Sequence, residues 1–288
     1  MRLILATLVP VLLLAACGGR TTTLLADPAA TPYAGPMHVE RDLDDDATVL
    51  AATGAAGLAL ECTGAPRRGG GGDYVDGGLE TVQDSPRAAL ADLIDEEGVP
   101  VPDDGYRVER VEDGRALLSY DVDDRTKVAV IARDDITDFD HDTGWGVEVW
   151  AMCDPAELGA EVAERLGLQL WADADGRPVA TTEVMSYAGA AHCDWQDLTW
   201  LEIGAATDAD QDVDTYLSGD EDGALADFLS TTPDASATLP PDATDTGWQR
   251  AGRELWLGEH PRAAYLVSVD DRTDVQRWPA VTDPIGCA

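Results

Sequence analysis

Positive charge is scarce in this chain. Of its 288 residues, 19 are lysine or arginine and 56 are aspartate or glutamate, a formal net charge of −37. Binding to nucleic acid needs clustered Lys and Arg to neutralise phosphates, so that partner is excluded. Adhesion of the folded body to anionic lipid is disfavoured for the same reason. The acidic excess reads as a solvated surface that keeps the protein soluble. Histidine is scarcer still: His38, His141, His192 and His260 are the whole complement, no two are spaced as a zinc pair, and H-E-x-x-H is absent. His192, beside Cys193 and Trp195, reads as a structural neighbour rather than a base. No G-x-S-x-G elbow occurs, since Ser186 lies in MSYAG, and there is no S-x-x-K. The glycine-rich RRGGGGDYVDGG (67–78) lacks GK[ST] and reads as a flexible loop near Cys62 rather than a phosphate cradle. These absences leave no catalytic residue, metal ligand or cofactor to assign, and make a non-enzyme the favoured reading. After residue 14 no apolar run is long enough to span a bilayer.

The one long apolar run, Leu3 to Leu14 behind Arg2, is too short for a mature transmembrane helix and fits a signal-peptide core. It ends in Leu14-Ala15-Ala16-Cys17, which resembles the lipobox of bacterial lipoproteins. Small side chains suit the peptidase beside the cut, and the Cys17 thiol is expected to carry the lipid. The expected location is the outer face of the cell membrane, with the lipid bilayer as partner through the acylated N-terminus. Removing 1–16 takes only Arg2 from the charge count, leaving 18 basic and 56 acidic residues. Residues 17–44, rich in Thr, Ala, Pro and Asp, read as a flexible tether.

Cys62, Cys153, Cys193 and Cys287 remain, an even number that implies two disulfides outside the cytoplasm. Spacing alone permits three connectivities. A repeated pattern favours one. VDDRT occurs at 122–126 and again at 269–273. ALAD also recurs, aligning Leu90, Leu93 and Ile94 with Leu225, Phe228 and Leu229, both sets at the i, i+3, i+4 spacing of a helix face. Gly105-Tyr106 and Gly247-Trp248 lie between. The order Cys, helix, Gly-aromatic, VDDRT, Cys runs twice, as a diverged internal duplication would. On that reading Cys62–Cys153 and Cys193–Cys287 each close one half.

Each half therefore reads as a helix followed by a small antiparallel sheet, an α+β fold. Ser85 serves as N-cap with Pro86 at N1 and Gly98 past the end. Strands are expected at 106–111, 116–122, 127–132 and 146–152, with VDDRT as a hairpin connection. Asp154, Pro155 and Glu157 predict a capped helix ending near Gly167, followed by a hairpin around Asp175-Gly176. The expected organisation is signal peptide 1–16, tether 17–44, first α+β unit 45–153, connecting helix and hairpin 154–192, and second α+β unit 193–288.

Two features invite a site. Asp210, Asp212, Asp214 and Glu221 occupy positions 1, 3, 5 and 12 of an EF-hand-like frame, but position 6 is Thr215, where the turn needs glycine. A solvated acidic loop over 208–222 is preferred to a calcium site there, and FDHDTG (139–144) is the weaker case. Trp195, Trp200, Trp248, Trp256 and Trp278 crowd the second half and read as sheet packing before they read as a groove for sugars or peptides.

The lipobox, AAGLALEC, GGGGDYVDGGLETVQDSP, DTGWGVEVW, AAHCDWQDLTWL, DTGWQRAGRELWL and PIGCA together resemble a group of secreted lipoproteins of high-GC Gram-positive, actinobacterial-type bacteria. The resemblance spans most of the mature chain. It implies an extracytoplasmic location and a coherent fold, and it transfers no activity or site residue. The function expected is a tethered binding or interaction module for an envelope protein or glycan. The alternatives are a carboxylate-dependent hydrolase of the cell envelope and a structural component of an envelope complex.

Overall fold

The computed structural model describes residues 32–44, 47–71, 82–95, 99–204, 213–220 and 223–286. The fold mixes helix and sheet: three antiparallel sheets of five, four and four strands, with few and short helices.

The first sheet comprises β1 (Arg68–Gly71), β2 (Arg107–Glu112), β3 (Arg115–Val122), β4 (Arg125–Thr137) and β5 (Thr143–Met152), ordered β1-β5-β4-β3-β2. Helix α1 (Val49–Ala59) covers one face and α2 (Pro86–Asp95) the other. This explains the unbroken buried run Val128–Ala132 in β4, which would alternate if one face met water. On the α1 side Ala55, Ala56 and Ala59 meet Leu117, Ala129, Ile131 and Val149. On the α2 side Leu90 and Leu93 meet Leu118, Val128, Val130 and Trp150. Ser85 caps α2, its Oγ accepting from Ala88 N at 3.2 Å. Gly98 lies outside the described residues.

The glycine-rich run departs from the expected loop, since residues 68–71 form the edge strand β1 against β5. Glycine is required there because α1 passes close above. A Cβ on Gly69 would lie 2.2 Å from Thr53 Cγ2 and 2.6 Å from Trp150 O. The tether is also shorter than 17–44 implies. Met37 is buried in the core under α1, with Tyr33 and Val39 packed beside it.

Asp154 caps a single 3₁₀ turn, Pro155–Glu157, accepting from Ala156 N at 2.9 Å. The expected longer helix is interrupted at Gly159 (φ +91°) and resumes only as α3 (Ala160–Arg165). Glu157 forms no capping box; its carboxylate is drawn to Lys127 and Thr63 instead. The second sheet follows: β6 (Leu168–Gln169), β7 (Val184–Ala188), β8 (Thr199–Ile203) and β9 (Asp214–Ser218), in that order. It joins strands from both sides of the expected boundary at 192/193. The turn at Asp175-Gly176 is present, closed by Asp173 N to Arg177 O at 2.9 Å.

The third sheet is a meander of β10 (Thr244–Arg250), β11 (Arg253–Glu259), β12 (Arg262–Ser268) and β13 (Val275–Pro279). It packs on the second sheet through a core of Trp171, Leu201, Tyr216, Leu255, Leu266 and Trp278. The helix expected on Leu225, Phe228 and Leu229 is only a 3₁₀ turn, Ala226–Phe228, with Phe228 left exposed. The chain turns extended at Leu229, which bridges to Val281, and that pairing ends the helical path.

Candidate functional site

Where the first sheet meets the segment leading into the second, a cleft of about 440 Å³ opens, lined on one side by Thr63–Arg67 and on the others by Asp154, Ala156, Glu157, Pro178, Ala180 and Thr182. The disulfide Cys62–Cys153 fixes its base, joining the residue before Thr63 to the residue before Asp154, with Cα atoms 5.3 Å apart. Arg67 is held by its backbone N–H to Met152 O at 2.9 Å, continuous with the β1–β5 ladder.

The two carboxylates of the cleft are bonded to the protein. Asp154, buried, accepts from Thr181 N at 3.0 Å and Thr181 Oγ1 at 2.9 Å besides its cap bond. Glu157 Oε2 accepts from Lys127 Nζ at 2.7 Å and from Thr63 N at 2.8 Å. Lys127 Nζ also donates to Glu61 O at 2.7 Å. Burial pushes the Glu157 carboxyl up, but the bonds from Lys127 and Thr63 and the Lys127 charge hold it below its ordinary value. Burial and the neighbouring Arg68 lower the Arg67 guanidinium, against the opposite pull of Asp154 and Glu202. A groove with few convergent, perturbed polar groups between packed layers is the usual form of a small-ligand seat.

Of the residues singled out by sequence, Cys62 and Cys153 are bonded as expected. Cys193 is also disulfide-bonded, while Cys17 and Cys287 lie outside the described residues. Asp210, Asp212 and Glu221 of the EF-hand-like frame lie outside them too; Asp214 opens β9 and pairs with Arg262. In FDHDTG the preceding Asp138 closes its own turn, accepting from Asp140 N and Asp142 N at 3.0 and 2.8 Å. His192 is exposed on a short 3₁₀ turn, and His38 contacts Glu148 at 2.7 Å. The tryptophans pack: Trp171 is fully buried, with Nε1 on Ser186 Oγ at 3.0 Å, and Trp195 and Trp200 sit 6.2 Å apart. A second cleft, of about 480 Å³, is lined by Asp194, Trp195, Asp197 and Asp220 among others.

Arg67, Lys127 and Thr181 belong to no motif that marks a site in the sequence. One signal was present: Lys127 is the only lysine in the chain, and it is buried. No family model, curated protein or solved structure matches this chain. No helix among the described residues is long and apolar enough to cross a membrane.

Proposed function

We propose that this chain is an extracytoplasmic lipoprotein, acylated at Cys17 and held at the outer face of the membrane, whose folded part is a binding module. The ligand seat is the cleft between Thr63–Arg67 and Pro178–Thr182. One observation carries this reading: both carboxylates of the cleft are already engaged by protein donors, with the disulfide fixing the base and the β1–β5 ladder holding one wall. Groups held this way are preorganised to hold a ligand and poorly placed to move a proton. The ligand class is a small polar moiety of an envelope glycan or protein.

The test is saturation-transfer NMR of the full chain with soluble cell-wall glycan and peptide fragments. Wild type should show transfer to at least one fragment, and Ala180→Trp, which fills the cleft, should lose it. Transfer that persists in Ala180→Trp places the seat elsewhere. Anchoring is checked separately, since Cys17→Ala should move the protein from the membrane to the medium.

The finer organisation belongs to the same reading. With Cys62 and Cys153 joined to each other, the partner of Cys193 is Cys287, and non-reducing peptide mapping should recover that pair. The halves descend from a duplication: Arg115-Ala116 opens β3 with VDDRT beginning seven residues after Arg115, and Arg262-Ala263 opens β12 with VDDRT beginning seven residues after Arg262. A hydrolase is the second reading, favoured by the three carboxylates beside Trp195 in the second cleft. Release of reducing ends from purified wall by wild type, lost in Asp220→Asn, would establish it.

A further inference from the structure

The only lysine of the chain, a carboxylate and a disulfide meet at one point. The sulfurs of Cys62 and Cys153 and a carboxylate oxygen of Glu157 all lie within 4.8 Å of one another, the only such trio of potential ligands among the described residues. Lys127 Nζ stands 2.7 Å from Glu157 Oε2, and its backbone carbonyl accepts from Cys153 N at 2.9 Å. Cys153 and Lys127 are buried, while Cys62 is half-exposed on the loop that enters the cleft.

We propose that reduction converts this staple into a metal site: Cys62, Cys153 and Glu157 then hold a thiophilic divalent cation, zinc above all, with Lys127 as the neighbouring charge. The step balances with a dithiol as reductant. Two electrons and two protons pass from the dithiol to the Cys62–Cys153 bond, leaving two protein thiols and an oxidised cyclic disulfide. The cation then displaces both thiol protons to solvent and forms two metal–sulfur bonds. Zinc–sulfur bonds of about 2.3 Å in tetrahedral array set the sulfurs roughly 3.8 Å apart, a separation that rotation of the half-exposed Cys62 can supply. Two thiolates and one carboxylate outweigh a divalent cation by one negative charge, and the Lys127 ammonium offsets it. Three protein ligands leave one position open, as in sites that exchange a bound molecule.

The experiment reduces the full chain with a dithiol, desalts it without oxygen, and adds one equivalent of zinc or cadmium. Alkylation is then mapped peptide by peptide, and affinity is measured by competition with a chromophoric chelator. The expected result is slowing of alkylation by tenfold or more at Cys62 and Cys153 but not at Cys193, with a thiolate-to-metal absorption band for cadmium. Glu157→Gln should weaken the affinity by about tenfold, the scale on which loss of a site's supporting groups is felt, and Glu157→Asp should restore part of it. Equal alkylation with and without metal overturns the proposal. So does an unchanged affinity in Glu157→Gln, which is what two thiols on an unfolded chain would give.

Discussion

At the scale of single residues, the arrangements of greatest consequence are buried charges that a −37 chain keeps paired. Lys127 is the clearest. Glu157→Gln leaves its ammonium with only a carbonyl partner and should cost about 2–3 kcal/mol of unfolding free energy, read by denaturant titration. The pH dependence has a defined sign. The Glu157 carboxyl is held below its ordinary 4.5, so its stabilising contribution is complete above that pH and is lost as pH falls through the lower, folded value. The stability gap between wild type and Glu157→Gln should therefore close as the pH is lowered below 4.5, with charge effects common to both proteins cancelling. Arg107 is a second case. It is 2% exposed, 3.0 Å from a Glu109 that is equally buried, and 2.6 Å from Asp121. Arg107→Met strands the Glu109 charge and should cost about 3–5 kcal/mol in the same assay.

At the scale of elements, one five-letter string behaves in two ways. At 122–126, Val122 pairs with Arg125, and Asp123 and Asp124 both take positive φ (51° and 59°), making a two-residue hairpin turn. At 269–273 the same letters span a longer connection, in which Asp271 accepts from Thr273 N at 2.9 Å and Thr273 Oγ1 at 2.6 Å. Asp124→Gly should raise stability by about 0.5–1 kcal/mol, because glycine takes positive φ without strain. Asp271→Gly should lower the melting temperature, because it removes a carboxylate that the turn uses. Equal signs for the two would mean that the turns do not differ as described. Strands β2 to β5 of the first sheet were legible because apolar patterning and Asp-Gly or Asp-Asp turns are local signals, and Ser85-Pro86 marked α2 in the same way, whereas the glycine run of β1 carries no such signal. Helix α1 was not, since Ala and Gly throughout give it no apolar stripe to read. The helix assigned to Leu225–Leu229 failed because Leu229 pairs with Val281, over fifty residues on. The cleft was half legible: the repeated pattern of cysteines and flanking elements favoured its staple, while Arg67, Lys127 and Glu157 converge only through strand pairing.

At the scale of the whole molecule, the Cys62–Cys153 bond closes a loop with a sequence separation of 91. Removing it as Cys62→Ser with Cys153→Ser should cost about 4–5 kcal/mol on the chain-entropy account. The loss should appear as a lower denaturant midpoint under non-reducing conditions. A much smaller loss would mean that the reduced chain keeps the two ends together by packing alone.

The last strand carries a consequence for how the protein is made. Every strand of the first sheet lies before residue 153, and Leu158 and Val162 complete its core soon after, so that body can close early as the chain, exported as proposed, emerges on the outer side of the membrane. The outer edge of β9 is different: it is sealed only when Val281 N reaches Thr215 O, and Trp278 fills its place in the neighbouring core at the same moment. Until the final dozen residues arrive, half of the newborn chain is finished while the other half is still sticky. Chaperones and proteases that meet exported chains as they emerge would act on this protein chiefly in that interval.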